Sequence, residues 1–103
     1  MSTSASDGGR IRCRTPNASG ATSVPAWKFE LLRELLLDVV PADAAGVPFR
    51  DLTDAVAARL DEDERGRLGS LKWHLVTVKL ELEVRGELER VPGTSPQRVR
   101  RPT

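Results

Sequence analysis

The stretch "SLKWHLVTVKLELEVRG", residues 70–86, constrains the fold more than any other part of the chain. Ser70 can cap a first helical turn by accepting a backbone N–H, and Gly86 stands where helices commonly end in a left-handed residue. No proline or glycine interrupts the residues between them, so the spacing predicts one continuous helix. At roughly 100° per residue, Leu71, Leu75, Val78 and Leu82 share one face, while Trp73, Val76, Leu80 and Val84 gather on the opposite one. Lys72, Lys79 and Glu83 form one polar strip between these faces, and His74 and Glu81 form the other. A helix that is apolar on two sides asks for cover on both.

Other segments supply candidates for that cover. "AWKFELLRELLLDVV", after Pro25, repeats Phe29, Leu32, Leu36 and Val39 or Val40 at helical spacing and is closed by Pro41. "VPFRDLTDAVAARL" opens with a short apolar run, Val47 to Phe49, which Pro48 restricts to an edge strand or a turn. Leu52, Val56 and Leu60 then form the inner stripe of a further helix, with Asp51, Thr53 and Asp54 suited to its first turn. "DEDERGRLG" is acidic and interrupted by Gly66 and Gly69, which predicts a loop or a single weak turn.

The ends of the chain read differently. Residues 1–9 are mostly Ser, Gly and Ala, a composition that predicts a disordered tail ahead of one domain over 10–101. "RIRCRT" alternates Ile11, Cys13 and Thr15 with Arg10, Arg12 and Arg14, the period of a strand with one covered and one basic face. "NASGATS" then reads as a linker. At the other end, "ELERV" and "QRVRR" are strand candidates joined across Pro92-Gly93, close enough for a hairpin.

Size and charge exclude several classes. A chain of 103 residues with 39% hydrophobic and 30% charged residues fits one globular domain with a modest core. Its single cysteine cannot form an internal disulfide, and one His offers no zinc set, so no metal or cofactor is expected and a reducing cytoplasm is the natural location. No apolar run nears the roughly 20 residues of a membrane span, and the N-terminal segment is too polar for a signal peptide. The Asn17-Ala18-Ser19 sequon is therefore expected to be idle. Net charge is only +1 but unevenly spread: residues 1–70 hold 9 basic and 11 acidic side chains, whereas 71–103 hold 7 and 4.

The order of helix, short strand, two helices and terminal hairpin resembles a winged helix-turn-helix domain. "VTVKLELEVRGELERVP" carries the likeness, with a recognition-type helix running through a glycine into a first wing strand that Leu88 would anchor in the core. The resemblance implies an α+β fold of three helices with a C-terminal two-stranded wing. Over about Ile11 to Arg101 the chain also resembles a family of small uncharacterised bacterial proteins known only as a domain of unknown function. The residues of that likeness are "TPN" at 15–17, "GVPFRDL" at 46–52, "GSLKWHLVTVKLELEVRGELER" at 69–90 and "PQRVRR" at 96–101.

A DNA-binding winged helix places its third helix in the major groove and grips phosphates with the wing. The resemblance thus implies Ser70, Lys72 and Lys79 on the helix, and Arg90, Arg98, Arg100 and Arg101 on the wing, as contacts to duplex DNA. Glu81, Glu83, Glu87 and Glu89 dilute these cations, and firm duplex binding uses on the order of 6 to 10 phosphate contacts, so binding by one subunit is expected to be weak and salt-sensitive. The alternative is a protein-interaction module, in which Trp73, Leu80 and Val84 meet a second copy or another protein. Against that stands the simpler expectation that the N-terminal strand folds over this face through Ile11 and Cys13. Trp27 lies off its helix's inner stripe and is expected to pack against the linker. His74 has no nucleophile or second carboxylate placed to form a catalytic set, and Cys13 is expected to be buried and inert, so no enzymatic activity is expected.

Overall fold

A computed structural model describes residues 9–15, 20–42, 45–93 and 97–102. The sequon and all but the last residue of the expected tail lie outside the described residues.

The N-terminal strand β1 (Arg10–Arg14) pairs antiparallel with β2 (Ala21–Pro25), setting Ile11 against Val24 and Cys13 against Thr22. Residues 21–23, read above as linker, therefore belong to a strand. Their small polar side chains face outward, and the pairing is secured by Val24, which is fully buried. An Ala26 N–H bond to the Gly9 carbonyl, at 2.9 Å, closes the open end of the hairpin against the helix that follows.

That helix, α1 (Ala26–Val39), starts at Pro25, whose fixed φ suits a helix entrance, and buries Phe29, Leu32 and Leu36. Each such side chain contributes about 2 kcal/mol relative to exposure. After the two-residue strand β3 (Val47–Pro48) comes α2 (Phe49–Ala57), which buries Leu52 and Val56, with Leu60 buried just beyond its end.

The acidic segment is itself a helix, α3 (Glu62–Leu68), so the described residues contain four helices rather than the three expected. Its nucleus is a reciprocal cap: Glu64 N–H donates to Asp61 Oδ1 at 2.7 Å, and Asp61 N–H donates to Glu64 Oε1 at 3.0 Å. Leu68, fully buried, ties this short helix to the core. Helix α4 (Leu71–Arg85) has the ends the sequence implies: Ser70 Oγ accepts the Trp73 N–H, and Gly86 turns left-handed at φ +78°.

The last sheet has the order β3-β5-β4, with β4 (Glu89–Arg90) and β5 (Arg98–Arg100) as the expected hairpin. Pro48 occupies an edge, where its missing N–H costs no ladder bond. Val99, in the central strand, faces Val47 on one side and Arg90 on the other and is fully buried. Gly46, at φ +64°, passes so close to β5 that a Cβ would lie 2.6 Å from the Val99 carbonyl oxygen. Leu88, almost fully buried, anchors the hairpin in the core as expected. Thus α1, α2 and the N-terminal hairpin pack on α4, and the β3-β5-β4 sheet closes the far side.

Candidate interaction surface on the last helix

Helix α4 turns Leu75, Val78 and Leu82 inward, where all are buried. What sets its outer surface is the fate of the two polar strips. Glu81 on one strip, and Lys79 with Glu83 on the other, are drawn into the protein, whereas Lys72 stays exposed.

On one flank, Glu81 is 1% exposed and accepts the Arg14 backbone N–H at 2.7 Å. The Arg14 guanidinium adds a two-pronged bond, Nε to Oε1 at 3.0 Å and Nη2 to Oε2 at 2.7 Å, and Arg85 Nε reaches Oε2 at 2.8 Å. Such charge-assisted forks are strong and geometrically specific. The Arg14 bonds outweigh burial and hold the Glu81 carboxyl down at about 2, and the same bond drives the Arg14 guanidinium further toward its charged form. Glu81 therefore clips β1 to α4.

On the other flank, Lys79 is 3% exposed, with its ammonium 2.5 Å from Glu83 Oε2, 2.5 Å from Gln97 Oε1 and 5.1 Å from the centre of the Phe49 ring. Burial pulls its pKa below the ordinary lysine value, against the opposing pull of Glu83. Glu83 also faces Arg90 at 3.6 Å, and among the described residues its buried Oε2 has no hydrogen-bond partner beyond the lysine ion pair. The winged-helix resemblance implied Lys79 as a contact to duplex DNA, but Gln97 and the Glu83 pair bury it instead.

With both strips occupied, the outward face is left to Trp73, Val76, Leu80 and Val84. Trp73 is 48% exposed, and the other three are half-buried and stand apart from the core cluster. The N-terminal strand, expected to fold over this face, leaves Trp73 exposed. Cys13 is buried in the main core, and β1 meets α4 along the Glu81 flank rather than over Trp73.

The residues implied as DNA contacts are dispersed. Ser70 is engaged in its capping bond, and Lys72 is exposed beside it. Arg98 binds the carbonyls of Ala45 and Gly46 at 2.7 and 2.9 Å, Arg100 binds Glu89 at 2.5 Å, and Arg101 binds the Val40 carbonyl at 2.7 Å. Arg90 remains largely exposed while facing Glu83. The terminal arginines thus fasten β5 to its surroundings.

A basic cluster outside the residues implied as DNA contacts lies between β1 and the end of α4. Arg10, Arg12, Arg14 and Arg85, with Ile11 and Glu81, line an open cleft of about 420 Å³. Arg10 binds Ser23 through its Oγ at 2.6 Å and its carbonyl at 3.0 Å, whereas Arg12 is exposed and makes no hydrogen bond or ion pair among the described residues. The alternation of arginines in "RIRCR" was the signal for this row; the position of Arg85 beside it depends on tertiary packing.

Trp27 packs at the edge of the core under Arg67, whose guanidinium carbon is 4.7 Å from the ring centre. His74 Nδ1 lies 2.7 Å from the Ser70 carbonyl, and its ring stands edge-on to Trp73. The Cys13 thiol is pushed up to about 11, first by burial and then by Glu81, which keeps it protonated and weakly nucleophilic at neutral pH. Among the described residues there is no group of three or more His, Cys, Asp or Glu side chains that could hold a metal, and no helix is long and apolar enough to cross a membrane.

No curated protein and no solved structure shows significant similarity to the chain. A family model does match, across residues 10–99, from the first arginine of β1 to the buried valine of β5. The span takes in both sheets, all of α4 and the two carboxylate clips, and the chain belongs to this family, the family of unknown function DUF6958.

Proposed function

We propose that the chain is a non-enzymatic protein-interaction module of winged-helix type, which presents the outward face of α4 to another protein. The element order and the β3-β5-β4 sheet support the winged-helix part of this reading. One observation carries the interaction part. The outward face of α4 bears Trp73, Val76, Leu80 and Val84, and its tryptophan is 48% exposed. An exposed aromatic within an apolar stripe is the composition of a protein-binding hot spot, whereas a groove-reading face needs hydrogen-bonding side chains.

The rival reading, a weak duplex-DNA binder with a regulatory role, draws support from exposed Lys72 at the start of α4 and from largely exposed Arg90. It is weaker because Lys79 is buried and Arg100 is spent on Glu89.

Photo-crosslinking separates the two. A photoreactive phenylalanine analogue at Thr77, beside the stripe, should give a discrete protein adduct in cells expressing the chain, and Leu80→Glu should abolish it. The same analogue at Arg50, on α2, should give none. Equal labelling from both positions, or submicromolar binding of mixed-sequence duplex that Leu80→Glu leaves intact, would overturn the reading.

A further inference from the structure

We infer that the apolar stripe of α4 and the arginine cleft beside it form one docking surface, whose occupant is an acidic, amphipathic segment of another protein. This inference rests on the interaction reading and adds the chemistry of the partner.

The two features adjoin through the helix itself. Val84, at the end of the stripe, lies three residues along α4 from Glu81, a neighbour on the helix surface that lines the cleft. Charge in the cleft is one-sided. Four arginines, Arg10, Arg12, Arg14 and Arg85, line it with the single carboxylate of Glu81, which is already bonded to Arg14 and Arg85. Arg12 has no partner of its own among the described residues and stands exposed on the cleft wall.

On the stripe's other flank the charge is also positive. Lys72 is exposed, and Arg90 projects beyond its contact with Glu83. A second copy of this chain would bring like charges together at these rims, which is a cost rather than a gain. Carboxylates of a partner would meet cations on both sides while its apolar residues cover Trp73, Leu80 and Val84. Groove binding of an amphipathic helix combines these elements. Nucleic acid would satisfy the arginines but leave the apolar stripe uncovered.

The probes are labelled helical peptides of about fifteen residues: one with a leucine stripe and flanking glutamates, one with the glutamates replaced by lysine, and one with the leucines replaced by serine. A mixed-sequence DNA duplex is the fourth. Against the full chain, the leucine-glutamate peptide should bind most tightly, about tenfold better than the lysine version. Arg12→Glu, which breaks no internal bond, should weaken it by a similar factor, and Leu80→Glu should remove binding. Equal binding of the lysine and glutamate peptides would overturn the partner chemistry while leaving the interaction reading intact. Failure of both leucine peptides would overturn both. Tight duplex binding lost in Arg12→Glu but kept in Leu80→Glu would assign the cleft to nucleic acid, and a dimer of the chain alone that Leu80→Glu dissolves would assign the stripe to self-association.

Discussion

Glu81 and Glu83 sit two residues apart on α4, both removed from solvent, and the protein treats them in opposite ways. Glu81 meets arginine: a backbone N–H, a forked guanidinium and a second guanidinium satisfy both oxygens and hold the N-terminal hairpin to the helix. Glu83 meets lysine: one ammonium shared with Gln97, a longer contact to Arg90, and an oxygen without a hydrogen bond. Arginine's planar fork can saturate a carboxylate, whereas lysine offers a point charge that must itself be desolvated. The hairpin clip should therefore be a source of stability, and the pair beside the terminal sheet closer to neutral, its value lying in register rather than energy.

The sharpest break of this comparison is Glu81→Ala. It should cost about 3 kcal/mol in urea unfolding, because the Arg14 backbone N–H and two guanidinium groups lose their charge-assisted bonds while water can still reach the guanidinium groups, and amide exchange should rise first in β1 and β2. The same clip sets an acid limb. Glu81 titrates at about 2 in the folded chain against an ordinary 4.5. A depressed folded value means that protons favour the unfolded chain, so this stabilisation is complete above about 4.5 and drains away as pH falls toward 2. Glu81→Gln should flatten that limb. A variant with an unchanged acid limb would show that the arginines do not hold the hairpin.

Beside the terminal sheet, Glu83→Ala alone should cost about 3 kcal/mol by stranding the buried Lys79 ammonium. The pair Lys79→Met with Glu83→Leu should fall within about 1 kcal/mol of the parent, or above it. A double variant as damaged as the single one would place the Lys79–Glu83 pair beside Glu81 as a stabilising clip and erase the distinction. A smaller effect, about 2 kcal/mol, is expected for Gly46→Ala, because the left-handed backbone and the Val99 carbonyl at 2.6 Å leave no room for a methyl. Thermal melts that show no loss would mean that β3 and β5 can separate without harm.

Local signals carried most of the fold. Ser70 and Gly86 bound α4 correctly, the Phe29, Leu32, Leu36 stripe defined α1, and the Pro92-Gly93 turn with Leu88 located the final hairpin. The strand at Ala21–Pro25 was hidden by its Gly/Ser/Thr surroundings, since its pairing depends on Val24 meeting Ile11, which no local pattern shows. The α3 helix was masked by Gly66, although the Asp61 and Glu64 spacing of a capping box was present to be read. The surface was less legible still. A helical wheel places Lys79 and Glu83 on one strip, but which neighbour covers that strip depends on Gln97 and Arg90, far away in sequence. The same limit applied to the face with Trp73, since nothing local tells whether β1 crosses the stripe or runs beside it.

Acrylamide quenching of Trp73 fluorescence tests the openness of that face most directly, with Trp27→Phe leaving Trp73 as the sole emitter. In dilute monomeric chain the account requires free quenching and red-shifted emission, both unchanged when Ile11→Ser loosens the hairpin. Blue-shifted, quencher-protected emission that opens only in Ile11→Ser would mean that the chain covers its own stripe, and the docking surface would not exist.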